Sequence, residues 1–425
     1  MVWDLQGANV IVGQSGGPTA VINSSLAGVY ETAMQRKAGK VYGMRFGIQG
    51  LLEDNIIDMG EYINSDLEIE LLKRTPSSFL GSCRFKLPEA ERGNEIFEKI
   101  FEILNRYEIK YFFYIGGNDS MDTIKKLYDY GEMIGTDIKF MGVPKTIDND
   151  LAMTDHTPGF GSAAKYVNTM VKEVILDAAV YDAPSVTVIE VMGRNAGWLT
   201  GSTALAKGPD CSGVDLIYMP EYPFSLEDCL RKVIEIQKKK KFVVIAVSEG
   251  LCDENGESIS AQAGNATIVD AFGHATLSGV GQFIANYLGD YLKCKVRSVE
   301  LSSVQRCGSH MVSRVDITEA YTVGGAAVKA AMNGESGRVV ILKRVSQEPY
   351  TCITDTFDVH KVANVEKKVP YEWINETHDG VTEDFLKYAR PLIQAELTPV
   401  MVDGLPMHIT LTTALDDTPG KKRWN

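Results

Sequence analysis

The sequence predicts an α/β protein built as two doubly wound, Rossmann-like lobes with mainly parallel sheets. Three observations carry that prediction. Apolar strand-like runs alternate with helical stretches of about ten residues or more, the pattern of βαβ units. The run 111–115 is apolar without alternation, as a parallel strand covered on both faces must be. At 425 residues the chain exceeds one typical core, so two domains are expected.

Taken in order, a first strand at 9–12 runs into Gly13-Gln14-Ser15-Gly16-Gly17-Pro18 and a helix expected over 20–38. A short strand follows at 41–44. The run 111–115 ends in Gly116-Gly117-Asn118-Asp119-Ser120, and a helix continues to about residue 130. The next strand breaks at Gly142 and Pro144, which place the following polar residues in a loop. A helix is expected over 162–179 and strands over 185–191, 215–219, 242–247 and 339–342. The lobe boundary is expected near 150–160. That gives a first lobe over 1–155, completed by about 310–350, and a second lobe over 156–309. The segment 252–281, rich in Gly, Ser, Asn and Asp, reads as an excursion from the second lobe. The more charged, less periodic segment 351–425 is expected to pack on the lobes as a C-terminal extension.

Composition narrows the function. Hydrophobic residues make up 44% and charged residues 23%, ordinary for a soluble globular protein. No apolar run approaches the ~18 residues of a membrane span, and Met1-Val2-Trp3-Asp4 lacks the basic start of a signal peptide. The seven cysteines are scattered, odd in number and never spaced C-x-x-C, which predicts reduced thiols in a cytoplasm and no zinc ribbon. The six histidines form no H-E-x-x-H pair. A net charge of −13 argues against a nucleic-acid partner, so an anionic small substrate needs its own cluster of arginine and lysine.

Chemistry-bearing residues collect where strands end, the edge at which open α/β sheets bind ligands. The loop 142–150 carries Lys145, Thr146 and two carboxylates at i and i+2, Asp148 and Asp150. Together these can accept a proton, hold a metal and meet a phosphate; the plainer reading is an Asx-rich turn. In the loop 13–17, Gly16 and Gly17 let backbone N–H groups approach an anion at a helix N-terminus, although a tight βα turn needs the same glycines. No G-x-x-x-x-G-K-[ST] occurs, which removes a Walker-type nucleotide site. Gly159-Phe160-Gly161-Ser162-Ala163-Ala164 mimics a dinucleotide fingerprint but follows a loop with Pro158, so it is set aside.

In the loop 116–120, Gly117 permits close backbone approach and Ser120 can cap the next helix. Asp119 repels a bare phosphate; it suits a metal-bound one, or the exclusion of a longer polyphosphate. Val191-Met192-Gly193-Arg194-Asn195 carries an arginine able to clamp a phosphate, against the plainer reading of a solvated surface cation. Glu249-Gly250 can bond sugar hydroxyls or simply turn the chain. Arg297 and Arg306, with Gln305, lie along a β-like stretch and can receive an anion, and Arg84 is a lone candidate. Agreement among these loops, more than any one motif, points to phosphoryl transfer.

Gly116-Gly117-Asn118-Asp119-Ser120, Pro144-Lys145-Thr146-Ile147-Asp148-Asn149-Asp150, Met192-Gly193-Arg194, Ser248-Glu249-Gly250 and Gln305-Arg306-Cys307-Gly308 occur in that order. On these motifs the sequence resembles the phosphofructokinase family over most of residues 9–345. The resemblance implies Mg²⁺ as cofactor, a homodimer or homotetramer, and fructose 6-phosphate bound between the lobes. It implies Asp148 as general base for the sugar 1-hydroxyl, flanked by Thr146, Ile147 and Asp150, with Lys145 and Arg194 also catalytic. Met192, Gly193 and Arg194 would line the sugar phosphate site and Glu249 would hold sugar hydroxyls. Arg297 and Arg306 would meet the 6-phosphate, with Ser303 close by. Gly16, Gly17, Arg84, Gly117, Asp119, Ser120 and Lys145 would meet the donor.

Within this family, ATP-using members typically carry glycine where this chain has Asp119 and Lys145, whereas pyrophosphate-using members carry aspartate and lysine. The physics agrees. A carboxylate ~4 Å from a phosphate of ATP repels it by about 4 kcal/mol at an effective dielectric of ~20. A lysine can meet the transferring or leaving phosphate. Pyrophosphate is therefore the expected donor and the reaction is expected to be reversible. The alternatives are an ATP-dependent enzyme and a non-catalytic regulatory subunit of the same fold. Asn118 stands where most members have a magnesium-linked aspartate, which leaves metal binding to Asp148, Asp150, water and pyrophosphate itself. Ser185 replaces an arginine that in many members reaches a neighbouring subunit, and Ser303 replaces a histidine of short bacterial members. Ala27 and Glu31 replace effector-binding arginines, so nucleotide regulation of that kind is not expected.

Overall fold

The computed structural model describes residues 4–262 and 279–411. The first half of the chain supplies β1 (Asn9–Gln14), β2 (Val41–Met44), β3 (Ile56–Asp58), β4 (Ile109–Gly116) and β5 (Lys139–Pro144). There follow β6 (Ser185–Val191), β7 (Leu216–Tyr218), β8 (Phe242–Ser248) and β9 (Lys295–Glu300), and then β10 (Arg338–Gln347) and β11 (Tyr350–Asp358). Seven strands form one sheet in the order β11-β10-β5-β4-β1-β2-β3, and four form a second in the order β7-β8-β6-β9. The second sheet is parallel throughout; in the first, only β3 and β11 at the two edges run antiparallel to their neighbours.

The continuous apolar runs are explained by two-sided burial. Along β4, Phe113 and Ile115 enter one core while Phe112 and Tyr114 enter another on the opposite face. In the second sheet, Val186 and Val188 of β6 pack on one side, Ile189 and Val191 on the other. The first helix, Ile22–Gln35, is shorter than the expected 20–38. It packs on the late helix Arg314–Met332 at glycine contacts: a Cβ on Gly28 would lie 2.0 Å from the Tyr321 carbonyl, and one on Gly324 2.1 Å from that of Ser25. That close approach ties residues 314–332 to the first sheet, and β10 follows directly beside β5.

Several expectations change. β11 lies inside the segment read as an extension, yet it belongs to the first sheet. As an edge strand with one covered face, it alternates half-buried and exposed positions through most of its length, so no apolar run marks it. The stretch from Arg297 to Arg306 is not continuous strand: β9 ends at Glu300, and Gln305 and Arg306 sit on the helical turn Val304–Cys307. Of the 252–281 excursion, Cys252 bridges Ser258 and the short helix Ile259–Gln262 follows; residues 263–278 lie outside the described residues. The fingerprint-like Gly159–Ala164 sequence opens the helix Phe160–Ala179, whose N-terminal end is occupied from within. The buried Asp316 carboxylate accepts the N–H groups of Gly159 and Ser162, both at 2.9 Å. All seven cysteines are free thiols. Among the described residues no helix is long and apolar enough to cross a membrane.

Candidate active site

Loops after β1, β4, β5, β6, β8 and β9 converge on one cleft of about 510 Å³ lined from both sheets. The chain leaves β1 and β4 toward opposite edges of the first sheet, so their loops meet at a topological switch point, where α/β sheets open a crevice. Ser15 Oγ and Ser120 Oγ lie 2.5 Å apart across that point. Gly16 takes φ +75°, its N–H donates to the Cys83 carbonyl (3.1 Å), and its own carbonyl accepts from Ser82 Oγ (2.6 Å). These bonds carry Arg84 to the cleft wall beside Gly16, Gly17, Gly117, Asn118, Asp119 and Ser120.

Lys145 enters from the end of β5, only 3% exposed, and its Nζ donates to the Gly17 carbonyl at 2.6 Å. Burial pulls its pKa down to about 8, with nearby Asp148 opposing the shift and Arg306 and Arg84 adding to it. Thr146 Oγ1 accepts the Asp148 N–H at 3.1 Å and shapes the turn that presents both aspartates. Burial raises Asp148, against Lys145, Arg194 and Arg306. Burial and then the Asp148 charge push Asp150 up to about 7. Across the cleft, burial and Asp148 push Glu249 to about 7, while the Gly193 N–H donates to its Oε1 at 3.3 Å. The Met192 N–H donates to Gln305 Oε1 (3.1 Å), which links the β6 turn to the helical turn bearing Arg306.

The cleft thus holds Arg84, Lys145, Arg194 and Arg306 among Asp119, Asp148, Asp150, Glu249 and Glu366. Burial, then Arg306 and Arg194, hold the Arg84 guanidinium below its ordinary value, while Asp119 opposes them. Cations packed so closely repel, and a polyanion bound among them relieves that repulsion through charge-assisted hydrogen bonds. Of the carboxylates on the β5 loop, Asp150 is poised to take a proton near neutral pH, and burial raises Asp148 as well.

Of the residues singled out from sequence, Thr146, Ile147, Met192 and Arg194 line this cleft with those above; Gly193 shapes its rim through the Glu249 bond at φ +137°. Two are not brought there in the single chain. Arg297, the third residue of edge strand β9, has its Nη1 3.4 Å from Asp177 Oδ2 and its guanidinium 6.0 Å from the Tyr181 ring. Ser303 is exposed at the start of the turn Val304–Cys307. Conversely, Asn364 and Glu366 line the cleft from the C-terminal segment. Leu151 forms a β-bridge with Glu366, whose Oε1 accepts from Asn195 Nδ2 at 2.6 Å. No motif marks these two residues; the alternation of β11 before them was the one available signal that the chain stays within the fold.

Fold and cleft define a phosphotransferase acting on small anionic substrates. Residues 9–331 match the phosphofructokinase family, and the chain belongs to it. It is 40% identical over 402 residues, 94% of each chain, to a pyrophosphate–fructose 6-phosphate 1-phosphotransferase of Halomonas elongata. The crystal structure of a pyrophosphate-dependent phosphofructokinase from Nitrosospira multiformis is similar with a TM-score of 0.86, at 35% identity over 99% of both chains. One from Marinobacter aquaeolei gives 0.84, at 34% identity over 98% of this chain and 100% of that one.

Proposed function

We propose that the protein transfers a phosphoryl group from pyrophosphate to the 1-hydroxyl of fructose 6-phosphate, reversibly, giving fructose 1,6-bisphosphate and phosphate. The observation that carries the donor assignment is the pairing of Asp119 and Lys145 in one cleft. The carboxylate beside Arg84 supplies the charge that turns away a longer polyphosphate. The buried ammonium against Gly17 offers a cation to a leaving phosphate. The similar enzymes named above agree with this donor.

In this reading Asp148 takes the proton of the attacking hydroxyl, helped by a pKa lifted toward the working pH. Arg194 and Lys145 stabilise charge on the phosphoryl in flight, Arg306 with Met192 and Arg194 holds the sugar phosphate, and Glu249 receives sugar hydroxyls. Gly16, Gly17, Gly117, Ser120 and Arg84 cradle pyrophosphate. Asn118 Oδ1 is a buried oxygen with no hydrogen-bond partner among the described residues, and Asn118 Nδ2 lies 3.5 Å from Asp150 Oδ2. Among the described residues no three His, Cys, Asp or Glu side chains form a metal cage. That donor set fits Mg²⁺ held by one or two protein oxygens and otherwise by substrate phosphates and water. Bound there, Mg²⁺ would neutralise phosphate charge. Arg297, outside its own chain's cleft on an edge strand, is in keeping with the proposed homo-oligomer, which light scattering of the purified protein tests.

The donor test is a coupled assay with fructose 6-phosphate and Mg²⁺ in which pyrophosphate and ATP are supplied separately. Turnover is expected with pyrophosphate. Turnover with ATP and none with pyrophosphate overturns the donor assignment; inactivity with both, joined to activation of a partner, replaces it with a regulatory subunit.

A further inference from the structure

The family match ends at residue 331, yet the loop bearing Asp148 and Asp150 is held from beyond it. Asn149, between the two carboxylates, is fully buried with φ +56°, a left-handed conformation that asparagine adopts more readily than most residues. Its side chain is fixed at both ends. Oδ1 accepts the Thr157 N–H at 3.0 Å, and Nδ2 donates to Tyr388 Oη at 2.8 Å. The same phenol donates to the Asp155 carbonyl at 2.7 Å, so it spans the loop from its middle to its end. One residue further on, the Asp150 carbonyl accepts the Lys367 N–H at 2.6 Å, and Lys367 Nζ donates to the carbonyls of Thr154 (3.1 Å) and Asp155 (2.8 Å).

Tyr388 is itself immobilised. Its ring lies 5.2 Å from those of Trp198 and Trp373, with the Arg344 guanidinium 4.8 Å from it, and Arg344 donates to the Tyr388 carbonyl at 3.0 Å and to Asp155 Oδ1 at 2.9 Å. A hydroxyl this well placed acts on whatever it bridges. Phosphoryl transfer depends on near-attack geometry, and small displacements of a reacting group are costly.

We propose that Tyr388 is a positioning residue for the transfer step: by bridging Asn149 and Asp155 it holds the loop in the conformation that points the Asp148 carboxylate at the acceptor hydroxyl. The C-terminal segment is on this account part of the catalytic apparatus, acting through the loop. The inference rests on the reading of Asp148 as the base.

Tyr388→Phe removes the hydroxyl and leaves the ring among its aromatic neighbours. The kcat of the pyrophosphate reaction is expected to fall about tenfold, as for a sub-ångström misplacement where a full ~1 Å costs about 100-fold. The KM values should move by less than about twofold, because ground-state binding is untouched. In an Asp148→Asn background the same substitution should cost nothing further, since the group it positions is already gone. A wild-type kcat in Tyr388→Phe overturns the proposal, and so does a loss that persists in the Asp148→Asn background or appears only in KM. Full activity in Asp148→Asn alone would remove the base itself, and Tyr388's role with it.

Discussion

Asp150 ionises near 7 and Asp148 is also raised, in both cases first because burial strips water from the carboxylate. For Asp150 the interval from an ordinary 3.8 to about 7 corresponds to about 4 kcal/mol by which the cleft disfavours the charged form. The two groups are neighbours on one loop, so the apparent value belongs to the pair. A rate that needs the pair ionised should stand near half its plateau at about pH 7 and near a tenth of it at about pH 6. An unperturbed carboxylate would give full rate at both. The charge of Glu366 raises both aspartates as a smaller contribution on top of burial, so Glu366→Gln should move the acid limb of kcat/KM for fructose 6-phosphate to lower pH. Profiles of wild type and variant from about pH 5 to 8.5 in the same buffers cancel the titration of the substrates' own phosphates. A wild-type profile flat down to about pH 5, or a variant limb that stays put or moves upward, would refute the reasoning.

Asp148→Ser should lower kcat at least ~100-fold while sugar binding, followed by calorimetry, stays largely intact; a small kinetic effect would place the base elsewhere. Asp119→Gly combined with Lys145→Gly should admit ATP as donor, detectable in the coupled assay, and undetectable ATP use would show that other residues set the choice. His156, 1% exposed, lies 2.8 Å from Asp155 and 2.7 Å from Glu319. Burial alone would lower its pKa, but Glu319 and Asp155 raise it from 6.5 to about 9. Its stabilisation is therefore complete below about pH 6.5 and lost as pH rises through about 9, a span of about 3 kcal/mol. Urea denaturation should show that loss in wild type and not in His156→Gln, and equal pH slopes would count against it.

The strands β1, β2, β4, β5 and β6 were legible in sequence because buried parallel strands are apolar runs, most of them ending near glycine or proline, whereas β3 and the helices between residues 47 and 106 carry no such signal. Those same strand ends carry the motifs, so Gly16, Gly117, Asp119, Lys145, Asp148 and Arg194 could be placed at the carboxyl ends of strands from sequence alone. The family and its expected chemistry were readable from that order of motifs. Legibility failed where burial is one-sided or contacts are distant in sequence. β11 alternates in a charged context and looked like tail, and Arg297 shared a plausible stretch with Arg306 until β9 ended between them.

The sequence by itself determined the class of fold, the loops that meet at the cleft and the pair of residues, Asp119 and Lys145, on which the donor assignment rests. These are local facts: residue type, spacing and strand ends suffice for them. Only the tertiary structure decided that Arg297 and Ser303 stay out of the single-chain cleft, that Asn364 and Glu366 enter it, and that Tyr388 and Lys367 grip the loop of Asp148 and Asp150. The phenol of Tyr388 meets an amide 239 positions earlier in the chain. Such a contact depends on how the late segments pack across both sheets, and no spacing within the sequence encodes it.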